Sequence, residues 1–170
     1  MVSLSEKSLW DCLSQVNDPE IPVISIVDLG IVRAVETRPD GSCEIVITPT
    51  YSGCPAMQVI AEDIQQALQK QGLEKIHLRT QLSPAWTTDW ISDAGREKLR
   101  GFGIAPPARK AIDYKAIDIS ALSHAEEVEI ACPQCASVNT RLISQFGSTA
   151  CKALCRCSDC LETFDYFKPH

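Results

Sequence analysis

The chain has 170 residues, of which 45% are hydrophobic and 22% are charged, a composition that excludes general disorder. No apolar run approaches the roughly 20 residues of a membrane-spanning helix, and the amino-terminal residues lack the pattern of a signal peptide. From Ile130 onward four basic residues accompany three acidic ones, and the rest of the chain carries 12 basic and 19 acidic residues. Without a basic surplus, nucleic acid is a poor candidate partner. We therefore expect a cytoplasmic protein that binds neither membrane nor nucleic acid.

The first predicted element is a helix from about Ser5 to Val16, because apolar residues recur on one helical face. Two prolines in the stretch 18–22 (DPEIP) end this helix. Two short β-branched runs follow, from Ile31 to Thr37 and from Cys43 to Thr48, and Pro39-Asp40-Gly41 between them predicts a hairpin.

A strong helix is predicted after Pro55, because apolar residues keep helical spacing as far as Gly72. Residues 75–82 alternate as a third strand, and Ser92 can cap a short helix through Leu99. The pattern predicts an α+β fold in which a small sheet is packed with helices. We place this domain at residues 1–107, a linker at 108–128 and a carboxy-terminal β zinc-ribbon module at 129–170.

The cysteines provide the most specific signal in the chain. Six of the nine lie between residues 132 and 160, and a reducing compartment disfavours disulfides as their explanation. Two CxxC pairs, Cys132 with Cys135 and Cys157 with Cys160, have the spacing of a zinc ribbon, with strands expected at 138–144 and 149–156. The pattern favours structural zinc at these four cysteines, although iron can also be held by four thiolates.

Two further cysteines lie inside the predicted ribbon. Cys151 follows a glycine turn that would expose it, and its role stays open. Cys155 is more simply explained as a thiol on a hairpin strand.

Cys54 is the candidate for chemistry in the first domain. It precedes Pro55, which is favoured at the first position of a helix. The helix dipole there would lower the pKa of a thiol and make it able to attack or to bind a soft metal. The alternative is a buried cysteine with no chemical role. Asp18, Glu20 and Asp28 are candidates for supporting carboxylates near this sulfur.

Several motifs in fixed order resemble a known family. The stretches 18–22 (DPEIP), 28–30 (DLG) and 48–55 (TPTYSGCP) are similar to the metal-sulfur cluster biosynthesis domain of SufT-like proteins. The stretches 84–90 (PAWTTDW), 103–107 (GIAPP) and 146–154 (FGSTACKAL) narrow the resemblance to the PaaD family of phenylacetate catabolism.

The resemblance implies an accessory or maturation factor for the multicomponent phenylacetyl-CoA epoxidase rather than an enzyme. Its expected partner is the iron–sulfur flavin reductase of that system, and a second copy of the chain is a further candidate. Cys54 then carries over as the thiol that handles a transient iron–sulfur cluster or iron, and Cys151 as a motif cysteine.

Three other functions compete with this one. A non-catalytic structural subunit of the epoxidase is the main alternative. A thiol-dependent enzyme is disfavoured because no residue pattern supplies a base for Cys54. A nucleic-acid-binding ribbon is disfavoured by charge.

Overall fold

A computed structural model describes residues 5–107 and 129–169, so the predicted linker at 108–128 lies outside the described residues. The described residues form two compact units, one on each side of the Phe102–Gly103 bond. Strand β4 (Ile104–Ala105) lies in the second unit, while the domain limits at residues 107 and 129 remain a prediction. No helix of the described residues is long and apolar enough to cross a membrane.

The first unit is built on a three-stranded sheet with the order β1-β2-β3. Its helices and strands occur in the order that the amino-acid sequence predicted. They are helix α1 (Glu6–Leu13), strands β1 (Val32–Thr37) and β2 (Cys43–Ile47), helix α2 (Ala56–Lys70), strand β3 (Ile76–Thr80), a 3-10 helix (Thr88–Trp90) and helix α3 (Asp93–Gly101). Strands β1 and β2 are antiparallel, whereas β2 and β3 are parallel. A parallel pair needs a long crossover, and α2 provides it. The α+β prediction is therefore confirmed.

Helix α2 joins the sheet through one apolar face. Ile60, Ile64 and Leu68 are completely buried, at the four-residue spacing that places side chains on one side of a helix. Strand β2 is central in the sheet and is mostly buried, so it is covered on both faces. The loop between β2 and α2 is thereby held at the end of a rigid strand.

The second unit is a four-stranded sheet with the order β4-β7-β6-β5. Strands β5 (Thr140–Ser144) and β6 (Lys152–Cys157) form the hairpin that the sequence predicted, and β7 (Thr163–Phe167) adds a further antiparallel strand. Strand β4 joins β7 in parallel through two residue pairs. A small core of cysteines and aromatic residues lies on one face of this sheet.

Candidate functional site

The strand directions bring three sequence motifs to one end of the first sheet. Because β1 is antiparallel to β2, the residues before β1 lie beside those that follow β2, and the Thr48 amide donates to the Ile31 carbonyl at 2.8 Å. Because β3 is parallel to β2, its end lies there too, and the Gln81 amide donates to the Ile47 carbonyl at 2.8 Å. The segments around Asp18, Cys54 and Trp86, which precede β1 and follow β2 and β3 respectively, are all connected to this end of the sheet.

Asp18 organises the first of these segments. Its Oδ1 accepts the backbone N–H groups of Glu20 at 2.8 Å and Ile21 at 2.9 Å. Asp18 is only 6% exposed, and these amides compensate for part of the cost of burying its charge. The turn that Asp18 stabilises fixes the position of Glu20.

The Cys54 thiol lies among groups of opposite influence. Pro55 is the N-cap of α2, so Cys54 precedes the helix by one further residue. Burial raises the pKa of the Cys54 thiol, and the carboxylates of Glu20 and Asp18 add to that effect. The Ala56 amide and the Thr50 side chain form hydrogen bonds to the sulfur that act in the other direction. The net effect is a raised pKa, so the prediction of a lowered one was wrong.

The reason for this error is that the influences that raise the pKa of Cys54, namely burial and the charges of Glu20 and Asp18, arise outside helix α2. A helix N-terminus favours a thiolate only as long as burial and nearby anions do not outweigh it. Sequence order indicated the helix but gave no measure of burial. The Thr50 contact was missed as well, although a hydroxyl four residues before the cysteine on the same loop was a usable signal.

Asp28 is occupied elsewhere in the first unit. Its Oδ1 accepts the Ser92 hydroxyl at 2.6 Å, and its Oδ2 forms an ion pair with Lys98 at 2.7 Å. Although burial opposes it, hydrogen bonds from Lys98 and Ser92 hold the pKa of Asp28 below its usual value. Ser92 also caps α3 through the Gly95 amide. Asp28 therefore ties α3 to the loop before β1, whereas Asp18 and Glu20 act on Cys54.

The glycine of the 28–30 motif allows a close backbone approach. Gly30 has a φ of +76°, and a Cβ at this position would lie 2.7 Å from the Cβ and the carbonyl oxygen of Trp90. The Arg33 guanidinium lies 3.5 Å from the centre of the Trp90 ring, and Trp86 Nε1 donates to the Leu29 carbonyl at 3.0 Å. Both tryptophans of the stretch 84–90 therefore support the loop that carries the acidic residues.

In the second unit the four predicted ligands come together. The Sγ atoms of Cys132, Cys135, Cys157 and Cys160 all lie within 4.8 Å of one another. Those of Cys132 and Cys160 are 3.7 Å apart, and those of Cys135 and Cys157 are 3.6 Å apart. A tetrahedron with zinc–sulfur bonds of about 2.3 Å has sulfur–sulfur edges of about 3.8 Å. The four cysteines therefore form a group that fits a tetrahedral metal ion.

The two CxxC turns have matching backbone geometry. Ala136 and Leu161, which directly follow the second cysteine of each pair, have positive φ values of 62° and 68°. This conformation is costly for a residue with a side chain, so its presence at both turns indicates a constrained structure. The turn folds back so that the amide two residues beyond Cys135, and likewise beyond Cys160, points to the sulfur.

Backbone amides and crowding act on these thiols in opposite ways. The amides of Cys160 and Asp159 lower the pKa of the Cys157 thiol to about 7. The Glu162 amide favours the thiolate of Cys160, but burial and the neighbouring thiols raise the pKa of Cys160 to about 12. Several thiolates at this separation repel each other, and a bound dication removes that repulsion.

Asp159 joins the two CxxC turns through its side chain. Its carboxylate accepts the Ser137 hydroxyl, and its Oδ1 accepts the Asn139 Nδ2 at 2.8 Å. The Ser158 amide donates to the Asn139 carbonyl at 2.8 Å, and the Cys132 amide donates to the Ser137 carbonyl at the same distance. This role was missed at the level of sequence, because nothing in a CxxC pattern indicates which intervening residue reaches across to the other turn.

Cys151 and Cys155 lie outside the four-cysteine group. Cys151 is 6% exposed and its Sγ lies 3.0 Å from the Thr149 hydroxyl, so the glycine turn does not expose it as expected. Cys155 is completely buried in the core, and burial followed by the Asp165 charge raises the pKa of its thiol. Both thiols are too buried to react directly with a reagent in solution.

Comparisons with known proteins agree with both units. The family model of the iron–sulfur cluster assembly protein matches residues 6–75, and that of the PaaD zinc β-ribbon domain matches residues 118–168. A crystal structure of a domain of unknown function from Bacillus anthracis is 28% identical and has a TM-score of 0.52, covering 55% of this chain and 90% of that one.

Two curated relatives add to the comparison, and the second of them covers nearly the whole sequence. An Fe-S protein maturation auxiliary factor of Porphyromonas gingivalis (strain ATCC BAA-308 / W83) is 31% identical over 56% of this chain and 90% of its own length. A protein of Escherichia coli (strain K12), provisionally named as one of the subunits of 1,2-phenylacetyl-CoA epoxidase, is 50% identical over 94% of this chain and 90% of its own length. The chain therefore belongs to the PaaD family, with an iron–sulfur cluster assembly domain followed by a zinc β-ribbon.

Proposed function

We propose that this chain is a non-catalytic accessory factor that handles iron or an iron–sulfur cluster for a phenylacetyl-CoA epoxidase, acting in the cytoplasm through Cys54. Similarity to a protein named as one of the subunits of that epoxidase supports the client system. Similarity of the first unit to Fe-S protein maturation auxiliary factors supports the kind of work it does. The proposed recipient is the reductase of the epoxidase, because it is the component expected to hold an iron–sulfur cluster.

The observation that carries the proposal is the set of groups around Cys54. Two hydrogen bonds reach the sulfur, and two acidic residues of the Asp18 turn act on its charge. Carboxylates that oppose a bare thiolate favour a cation bound beside it, so the same neighbours that hinder nucleophilic attack assist metal binding. When iron binds, the thiol loses its proton and the two carboxylates compensate for the charge of the metal.

The site has too few ligands to retain a cluster by itself. Iron–sulfur clusters are held by several cysteines, and in the described residues Cys54 is not part of a group of three or more metal ligands. The remaining ligands therefore come from the recipient or from a second copy of the chain. A site that is completed only by its partner suits transfer better than storage.

For the ribbon we propose zinc. Four thiolates in a closed tetrahedral arrangement suit a structural zinc ion, which would supply folding energy to a small unit and no reaction chemistry. The cysteines of this site hold the two turns together. The chemistry of transfer belongs to the first unit.

The experiment is anaerobic purification of the epoxidase reductase from cells that co-express either the wild-type chain or its Cys54→Ser variant. We expect less iron and sulfide in the reductase made with the variant, because the handling thiol is lost. Cys12→Ser is the matched control, since Cys12 is a half-buried thiol that donates to the Ala67 carbonyl and is far from this loop in sequence. Equal iron and sulfide with Cys54→Ser and wild type would overturn the proposal.

The name of the Escherichia coli relative, which describes it as part of the epoxidase, favours a second candidate: a structural component that stays in the complex. Co-purification at fixed stoichiometry together with an unchanged iron content in Cys54→Ser would support that function instead.

A further inference from the structure

Two arginines that meet on the first sheet have a carboxylate between them. Glu44 on β2 accepts a hydrogen bond from Arg79 on β3 at 3.0 Å, and it also pairs with Arg38, which follows β1. Arg79 above all, and then Arg38, hold the pKa of the Glu44 carboxylate below its usual value. The anion that balances these two cations is therefore part of the chain itself.

Two arginines of the second unit lie side by side without such a carboxylate. Arg141 on β5 and Arg156 on β6 are direct partners, and Thr163 on β7 is the direct partner of Arg156. Direct partners project from the same face of a sheet, with Cβ atoms about 5 Å apart. The three side chains therefore form a row across three strands, which we call the arginine row. Leu142 and Cys155, the next pair along β5 and β6, project from the other face.

The two positive charges of the arginine row are not neutralised within residues 5–107 and 129–169. Arg156 Nε donates to the Leu161 carbonyl at 3.3 Å, which restrains the guanidinium without cancelling its charge. Arg141 is exposed, and its side chain forms neither an ion pair nor a hydrogen bond with a described residue. Like charges directly opposite each other on a sheet are destabilising. The pair is therefore unfavourable by itself and becomes favourable when an anion lies between the guanidinium groups.

The described carboxylates of the second unit are engaged elsewhere or exposed. Asp159 is held by the two CxxC turns. Asp165 lies on the same face as the arginine row, but it pairs with buried Lys152 at 3.6 Å. Glu129 and Glu162 are exposed and form no ion pair with a described residue. No carboxylate of the described residues is therefore placed between the two arginines, in contrast to Glu44 on the first sheet.

We propose that the arginine row binds one phosphate group, as the dianion of inorganic phosphate or of a phosphate monoester on a small metabolite. Two guanidinium groups match the two charges of the dianion, and each presents paired N–H groups that suit phosphate oxygens. The Thr163 hydroxyl can donate to a third oxygen, which a carboxylate does not have. Two arginines are too few for the run of phosphates in a nucleic acid. The site lies in the other unit from Cys54 and goes beyond the proposed function.

The test is a titration of the full-length, metal-loaded chain at constant ionic strength, followed by proton–nitrogen correlation spectra. The probes are inorganic phosphate and adenosine 3′,5′-bisphosphate, a nucleotide that carries phosphate monoesters. We expect saturable shifts of the amide signals of Arg141, Arg156 and Thr163, with a Kd for phosphate on the order of 1 mM. A lower Kd for the nucleotide would support the row as a site for a metabolite, whereas an equal Kd would support it as a site for free phosphate.

Arg141→Gln and Arg156→Gln should each raise the Kd for phosphate by about tenfold or more, because each removes a charge-assisted hydrogen bond. Arg79→Gln and Lys168→Gln are the matched controls. The first removes an arginine that already has Glu44 as its anion, and the second removes a cation of the same unit that donates to the Gln145 carbonyl. Both should bind phosphate as the wild type does. An unchanged metal content of each variant of the second unit shows that the ribbon has folded.

Succinate, which also carries two negative charges at neutral pH, tests whether charge alone is sufficient. It should bind at least about tenfold more weakly than phosphate, because its carboxylates lack the third oxygen. Equal binding of succinate, the absence of saturable shifts with either phosphate probe, or an unchanged Kd in both arginine variants would overturn the proposal. An equal loss of phosphate binding in Lys168→Gln would assign the effect to the general positive charge of the unit and overturn it too.

Discussion

The charge of the Cys54 sulfur depends on the groups around it as well as on how far it is buried. Burial, Glu20 and Asp18 keep the proton on the thiol, while the Ala56 amide and Thr50 favour its loss. A thiol of this kind reacts slowly with electrophiles at neutral pH and ionises readily only when a cation arrives. The same carboxylates therefore slow the alkylation of the thiol and favour the binding of a metal ion beside it.

Glu20→Gln should speed alkylation of Cys54 at neutral pH. The change removes a negative charge that raises the pKa of the thiol, so more thiolate is present at a given pH below that pKa. The measurement is the rate of iodoacetamide labelling at Cys54 against pH, read by peptide mass spectrometry. The wild-type rate should still be rising above a pH of about 8.5, the usual pKa of a cysteine thiol.

Glu36→Gln, which removes the same charge from an exposed position on β1, is the control and should leave the profile unchanged. A slower or unchanged rate in Glu20→Gln would show that this carboxylate does not act on the sulfur.

Asp159 is a positioning residue for the ribbon metal. Removing its carboxylate in Asp159→Ala frees both Ser137 and Asn139 and loosens one CxxC turn from the other. Mutation of residues that position the ligands without binding the metal typically lowers metal affinity by about 10- to 100-fold. We therefore expect zinc to pass to a chromogenic chelator faster by about that factor.

The control for charge is Glu162→Gln, because Glu162 is an exposed carboxylate two residues from Cys160. If Asp159 acts by position, Ser137→Ala/Asn139→Ala should match Asp159→Ala, and combining the three changes should add little. Zinc transfer accelerated equally by Glu162→Gln would assign the effect to charge instead.

At the scale of elements, the end of β2 explains why distant motifs form one site. The strand order and directions bring the loop before β1, the loop after β2 and the loop after β3 to the same end of the sheet. Gly30 then lets the Trp90 backbone approach at a distance that no side chain would tolerate. The position of the acidic turn beside Cys54 thus depends on packing between loops, not on the helix alone.

Gly30→Ala should destabilise the first unit by roughly 3 kcal/mol, because strain at positive φ adds to the clash with Trp90. Gly72→Ala separates the two contributions, since Gly72 has a φ of +87° and nothing within 4 Å of an added Cβ. That variant should lose only about 1 kcal/mol. Urea unfolding followed by tryptophan fluorescence measures both, and equal losses would show that the close approach to Trp90 costs nothing.

The helices and strands that have a clear local sequence pattern were predicted correctly. Helix α2 has buried residues at four-residue spacing, and the β1–β2 hairpin has a turn sequence between β-branched runs, so both were predicted from local pattern. Strand β4 was missed because it has two residues and pairs with Asp165 and Tyr166, about 60 residues away. The CxxC spacing predicted which cysteines converge, but it could not reveal that burial and Glu20 raise the pKa of Cys54.

At the scale of the whole molecule, the two units have cores of different kinds. The first buries apolar side chains between helices and a sheet, while the second has a small core in which cysteines are prominent. A unit of this size rarely folds without a metal or a similar constraint. The stability of the second unit should therefore depend on its metal, and that of the first should not.

Chelation at pH 7 should lower the β-sheet signal in far-ultraviolet circular dichroism while leaving tryptophan emission and its urea midpoint unchanged. The three tryptophans, Trp10, Trp86 and Trp90, all belong to the first unit and report on it alone. Cys132→Ser should reproduce the effect without chelator, whereas Cys12→Ser should not. A parallel change in tryptophan emission would mean that the two units unfold together.

Strand β4 has a consequence for where the ribbon module can be cut from the rest of the chain. The matched ribbon model begins at residue 118, whereas the sheet of the second unit already includes Ile104 and Ala105. The segment that the ribbon family model matches is therefore shorter than the second unit of the structure. A recombination event or an engineered fusion that joins a foreign domain at residue 118 would inherit every metal ligand yet leave one strand behind. Chimeras of this family should be spliced before Gly103, where the chain passes from one unit to the other.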